Sequence, residues 1–248
     1  FHYEKGVDNE EGRGRRRFLD RWRETLQIDG GVLAGAGGDN AVSAVKGGLG
    51  ILFTMYGWNE TGGGTAFPRS VALELARQGH RVTVFYASLA TDPARPAYAL
   101  ERSMEEGVRL FALYNRPARF TDPDHPERET LDEGVLRAFR QVLMESAPDV
   151  VHFHNFHGLT LAMAQETRRD GIPSVYTPHN YHMIDPDLYL FNSDLSLWNG
   201  TDLIANSEAV AHNPEKVPQY RQRSETTKRL LNEWVDVTLA VSTRQKEL

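Results

Sequence analysis

The spacing of apolar and polar residues changes period several times along the chain. Between Glu10 and Gln27, Phe18, Leu19, Trp22 and Leu26 fall on one stripe among charges, which predicts an amphipathic helix in need of a partner surface. From Ile28 to Gly50, "IDGGVLAGAGGDNAVSAVKGGLG" is dense in glycine and has no clear period, the pattern of a flexible linker. The expected organisation is a helical appendage over residues 1–27, a linker over 28–49 and a main domain over 50–248. Within that domain the pattern alternates: strand "ILFTMY", a helix from about Phe67 to Gln78, strands "RVTVFYA" and "VRLFALY", a helix from about Leu131 to Glu145, strand "DVVHFH", a helix from about Leu159 to Arg169, and strand "SVYTP". Short apolar runs alternating with longer helical patterns predict βαβ units, and so a doubly wound α/β fold whose mostly parallel sheet is covered on both faces.

The remainder carries two similar phrases, "TDLIANSEAVA" and "VDVTLAVSTRQKEL". Each reads as an apolar strand followed by a serine, Ser207 or Ser242, placed to cap a helix. "YRQRSETTKRLLNEW" between them predicts a polar-faced helix, and the segment from Asp185 to Pro218 is longer than a simple crossover requires. It is expected to form either a lid or acceptor-specific surface, or a plain surface excursion. The lack of an initiator methionine, and a last helix that has barely begun at Leu248, lead to the expectation of a piece of a longer polypeptide.

Charge and composition narrow the function classes. With 28 Lys and Arg against 34 Asp and Glu the formal net charge is −6, which gives no encouragement to a nucleic-acid or membrane-surface role. There are no cysteines, which excludes disulfides, thiol catalysis and thiolate metal sites and is compatible with a reducing compartment; a cytoplasmic location is expected. No apolar run approaches the roughly 20 residues that span a bilayer, so no integral membrane segment is expected.

Two features carry candidate chemistry. Gly62, Gly63 and Gly64 follow the first strand and precede a helix; glycines there let the backbone approach a ligand, and N–H groups at a helix N-terminus attract phosphate. The spacing is not G-x-G-x-x-G, and the second strand, "VTVFYAS", ends without the acid that would hold a ribose, which weakens a nicotinamide-dinucleotide reading. A structural turn stays open as the alternative. The second feature is histidine: "PDVVHFHNFHGL" and "YTPHNYHMIDP" bring five of the nine histidines, His152, His154, His157, His179 and His182, to the ends of two strands, where ligands bind in such sheets. Alternation along a strand puts His152 and His154 on one face and Phe153 on the other. Hydrogen-bonded loop residues, a metal site built on His-x-His, and a site for proton transfer or sugar-hydroxyl binding are the competing readings.

The glycine loop, "ELARQGHRVTVF", "PDVVHFHN", "VYTPHN" and "VDVTLAVS", in this order, resemble the first domain of the retaining, family 4 glycosyltransferases of the GT-B type, over Gly50 to Leu248. The resemblance implies a Rossmann-like first domain and a second domain, absent after Leu248, that holds most of a nucleotide-sugar donor. It implies that Gly63, Gly64 and Thr65 face the donor diphosphate, and that His154 matches the active-site histidine near the transferred sugar. Asn155, His157, His179, Asn180 and His182 would line the acceptor side. Retention is generally attributed in this family to front-face attack, with the leaving phosphate helping to deprotonate the acceptor; no metal or other cofactor is implied. The acceptor class is a glycan, a lipid-linked sugar or a small molecule. "HYEKGVD" and "FLDRWRETL" further resemble the tail of a family 2, GT-A type glycosyltransferase, with His2 as the match to its metal-diphosphate histidine. The competing function classes are a non-catalytic α/β binding or assembly module of a larger polysaccharide-building protein, and a dinucleotide-dependent oxidoreductase or epimerase.

Overall fold

The computed structural model describes residues 48–117, 122, 124–186, 188–198, 202 and 204–247. The appendage, with His2, and nearly all of the linker therefore lie outside the described residues. Seven strands form one sheet: β1 (Gly50–Met55), β2 (Arg81–Ala87), β3 (Leu100–Glu105), β4 (Val108–Leu113), β5 (Val150–Phe153), β6 (Ser174–Tyr176) and β7 (Val237–Thr238). Their spatial order is β3-β4-β2-β1-β5-β6-β7, and every pair is parallel except β3 with β4. The expected doubly wound α/β architecture is the observed one.

Side-chain parity divides the core. Along β1, Ile51, Phe53 and Met55 join Val82, Val84, Val108 and Leu110 beneath α1 (Gly63–Arg77). Leu52 joins Phe85, Phe111, Val151 and Phe153 on the opposite face, under α2 (Glu133–Ser146). The α2 helix presents Val135, Leu136, Phe139, Val142 and Leu143 at helical spacing, all buried. Asp132 starts it by accepting hydrogen bonds from the Gly134 and Val135 N–H groups at 2.8 and 3.1 Å, and Ala147 closes it in the left-handed region at φ 41°. The outer strands pack on α3 (Ala162–Arg169) and on α4 (Val217–Arg229), which runs on through a wider π-type turn, Leu230–Trp234.

Three expectations are corrected. β3 was not foreseen: as an antiparallel edge strand it keeps the polar pattern "LERSME", and it reaches β4 through a tight turn in which Glu106 and Gly107 both have positive φ, 44° and 83°. The strand expected in "TDLIA" is a turn at residues 204–206, because Asp202 draws the chain round on itself: its side chain accepts from Ala205 N–H at 3.2 Å and its carbonyl from Asn206 N–H at 3.1 Å. The first helix starts at Gly63, four residues earlier than its apolar pattern, since Gly62 at φ 111° and ψ 157° makes the entry that only glycine adopts readily. Both capping serines perform as expected: Ser207 Oγ accepts from Val210 N–H and Ser242 Oγ from Gln245 N–H. The long segment after Asp185 includes a hairpin-like excursion, with Phe191 bridged to Leu197 and with Tyr189, Leu195 and Leu197 exposed.

Candidate active site

The strand order reverses at β1, whose two neighbours are β2 and β5, and the carboxyl ends of β1 and β5 therefore open a crevice of the kind that holds ligands in doubly wound sheets. His154 sits at that point, its N–H donating to the Thr54 carbonyl at 3.0 Å. Parity places it. Register pairs Phe53 with His152, so His152 and His154 share the α1 face with Phe53, whose ring lies 5.3 Å and 5.0 Å from theirs, edge to face. The two imidazoles stack at 3.9 Å, and His152 Nε2 lies 2.8 Å from Thr177 Oγ1.

The α1 N-terminus closes the other side. Gly63 and Gly64 occupy its first two positions, and their N–H groups have no acceptor among the described residues; no acid stands in the first turn to neutralise the positive end of the helix. A Cβ at Gly63 would meet open space, and one at Gly64 would lie 3.6 Å from the His179 Cβ, so the glycine loop and the histidines border one crevice. Thr65 differs from its neighbours: its N–H donates to the Gly62 carbonyl at 3.1 Å and the residue is buried.

The five histidines fall into two tiers. In the upper tier His154 Nδ1 lies 3.0 Å from His179 Nε2. His154 is 2% exposed, and its Nε2 has no hydrogen-bond partner among the described residues. Burial, with help from His152 and His179, pushes the His154 pKa down to about 2; burial, then His179, brings His152 to about 4. Burial lowers His179 as well. In the lower tier the His157 and His182 rings pack 4.0 Å apart, and His182 Nε2 lies 3.1 Å from Glu129 Oε2. Arg223, 2% exposed, donates to that same carboxylate oxygen and to the His182 carbonyl. Burial alone would raise Glu129, but Arg223 and His182 hold it at about 2. Burial and the Arg223 charge push His182 down to about 4, against the pull of Glu129, and burial keeps His157 well below its usual range.

Each tier is built by the same short motif. "HNFH" (His154 to His157) and "HNYH" (His179 to His182) end the neighbouring parallel strands β5 and β6. In both, the asparagine folds the chain back: Asn155 Oδ1 accepts from His157 N–H at 2.8 Å, and Asn180 Oδ1 from His182 N–H at 3.0 Å. First histidine meets first, and last meets last. Both asparagine carbonyl oxygens are thus committed to their turns. Glu129 and Arg223 were not singled out in the sequence; nothing local in either segment marks them, whereas the repeated H-N-aromatic-H was a readable signal. Among the described residues no three His, Asp or Glu side chains are disposed to hold a metal ion.

The fold defines a doubly wound α/β domain whose glycine-opened helix and histidine pair meet at the switch point. More particularly, the chain belongs to the glycosyl transferase 4-like domain family, whose match spans residues 62–248. Over 77 residues it is 26% identical to an uncharacterized 42.6 kDa protein in the cps region of Klebsiella pneumoniae, covering 31% of this chain and 19% of that one. Among solved structures it is similar to an α,α-trehalose-phosphate synthase (UDP-forming) from Burkholderia xenovorans in complex with glucose-6-phosphate: TM-score 0.38, 15% identity, 71% of this chain and 38% of that one. A trehalose-6-phosphate protein from E. coli bound with UDP-2-fluoro glucose gives TM-score 0.36 and 12% identity over 77% of this chain and 48% of that one. The chain spans less than half the length of each of these relatives. No helix among the described residues is long and apolar enough to cross a membrane.

Proposed function

We propose that this domain is the acceptor-side half of a retaining glycosyltransferase that moves a sugar from a nucleotide-sugar donor to a glycan, lipid-linked or small-molecule acceptor. The observation that carries the reading is the shared crevice: two helix-terminal N–H groups without acceptors, at Gly63 and Gly64, border the same space as the histidine pair whose His154 Nε2 is buried and unpartnered. A diphosphate would meet the α1 N-terminus, where backbone donors and the helix dipole favour negative charge as the leaving group forms. An imidazole held at about 2 stays neutral throughout the physiological range and is a poor proton acceptor. His154 therefore serves by hydrogen bonding and position, and the acceptor proton goes to the departing phosphate in a front-face displacement. His179 and Asn180 stand on the acceptor side, and a second domain outside this sequence supplies most of the nucleotide contacts. The relative in a cps region suggests surface polysaccharide as the acceptor class, and a cytoplasmic location follows from where nucleotide sugars are used.

The test is turnover by the polypeptide that contains this chain together with its following domain, offered a panel of nucleotide sugars with mono- and oligosaccharide acceptors. Product whose anomeric configuration matches the donor is expected, and His154→Ala should reduce kcat by about 10²-fold or more. Unchanged turnover in that variant would take His154 out of the chemistry, and no turnover with any donor would favour the non-catalytic module.

A further inference from the structure

We infer that His179 is a positioning residue that sets which ring nitrogen of His154 carries the proton. The inference uses the sugar-transfer reading only to say what the resulting donor is for. At 3.0 Å, His154 Nδ1 and His179 Nε2 share one hydrogen, so the two neutral rings have only two joint states. Either His179 donates from Nε2, which makes His154 the Nε2–H tautomer, or His154 donates from Nδ1, which leaves its Nε2 a bare acceptor.

The first state is the one the structure favours. Neutral imidazoles ordinarily prefer the Nε2–H form, and this arrangement satisfies that preference in both rings at once. Its cost is an N–H on the buried, unpartnered Nε2 of His154, which a bound hydroxyl would satisfy. The His179 ring is held for the task. It meets His154 edge to edge, ring centres 5.3 Å apart and planes 24° apart, with the Phe67 ring of α1 6.0 Å away, and the Asn180 turn fixes the chain just beyond it. His152, stacked on a face of His154 and tied to Thr177, stops the central ring from tilting away. His154 Nε2–H then offers a hydrogen bond to a hydroxyl of the transferred sugar.

The experiment is ring-nitrogen NMR at pH 8 on this 248-residue chain, labelled with 15N-histidine and with His154 assigned by its loss in His154→Asn. A protonated-type signal is expected at His154 Nε2 and an unprotonated-type signal at Nδ1. His179→Gln, whose side-chain amide can donate from the same place, should keep that state; the near-isosteric His179→Glu, which can only accept, should move the proton to His154 Nδ1. Amide spectra check that both variants fold. An Nδ1–H form in the unsubstituted chain, or the same His154 tautomer in the Gln and Glu variants, overturns the inference. In the longer enzyme His179→Glu should lower kcat about tenfold or more with donor KM little changed, and His179→Gln should restore most of it. The expected tautomers without any sugar transfer would support this inference and sink the proposed function.

Discussion

Mild acid is a perturbation to which this domain should be unusually sensitive, because its histidines are buried neutral. His152 and His182 are held at about 4 and His154 at about 2, against an ordinary value of 6.5. The folded form binds protons at these sites less readily than the unfolded chain, so their contribution to stability is complete above pH 6.5 and is withdrawn as pH falls through 6.5 toward the folded values. One pH unit below 6.5, each site withdraws about 1.4 kcal/mol, and the three together withdraw on the order of 4 kcal/mol between pH 7.5 and 5.5. A domain of this size typically has about 5–15 kcal/mol to lose.

The paired carboxylates do not blur the result. Glu129 and Glu145, both held at about 2, contribute stability that is present above the usual carboxylate value of 4.5 and lost only below it, so they add no slope in this window. Urea titrations followed by tryptophan fluorescence at half-unit pH steps would measure the effect. His182→Asn should flatten the slope by about a fifth to a quarter whatever it does to absolute stability, since His157 and His179 are lowered as well. A stability that stays level from pH 7.5 to 5.5 would refute the reasoning, because it would mean that these imidazoles gain protons in the folded state as easily as in the unfolded one.

Other substitutions separate structure from function. Gly63→Ala adds a methyl to open space in a helix, so it should leave the fold intact or stabilise it by up to about 1 kcal/mol; under the proposed function it should also raise donor KM in the polypeptide assayed for turnover, and unchanged donor KM would remove Gly63 from the site. Glu129→Gln leaves the buried Arg223 without its carboxylate and should cost about 3–5 kcal/mol in a urea titration; a loss under about 1 kcal/mol would show that the lower tier is not a lock. Gly134→Ala would set a Cβ 2.4 Å from the Tyr98 ring, forcing out a side chain whose hydroxyl donates to Asp132 at 3.0 Å, and should lower stability by about 1–3 kcal/mol. Phe139→Ala, in the centre of the larger core, should cost about 3–5 kcal/mol, and a smaller loss would mean the cavity collapses.

How much of this was legible in the sequence depended on how local its cause is. β1, β2 and β4 are buried on both faces or nearly so, and they read as unbroken apolar runs; β3 is half-exposed at an edge and reads as polar. Gly134 looks like a weak point in α2 until Tyr98, 36 residues earlier, is seen to occupy the space over it. The Glu129–Arg223 pair joins positions 94 apart, and no period or cap at either end announces it.

The histidines lie between these extremes, and they show how a local motif acquires two functions from its surroundings. "HNFH" and "HNYH" follow adjacent parallel strands, so equal turns after each strand bring equal positions into contact. What the motif cannot specify is the difference between the tiers. The last histidines meet over Glu129 and Arg223, where a buried carboxylate and guanidinium bind His182 Nε2 and its carbonyl and fasten α4 to the strand ends, while His182 Nδ1 has no hydrogen-bond partner among the described residues. The first histidines meet beside the α1 N-terminus, where, among the described residues, no carboxylate pairs with them and His154 Nε2 has no hydrogen-bond partner. A buried ring nitrogen without a protein partner leaves a hydrogen bond for a water or a ligand to supply. The lower tier anchors the turn that carries His179: Glu129→Gln should loosen that turn, and with it the tautomer signal of His154, before it unfolds the domain. If the His154 ring-nitrogen spectrum of that variant were unchanged at urea concentrations just below its unfolding transition, the two tiers would be independent.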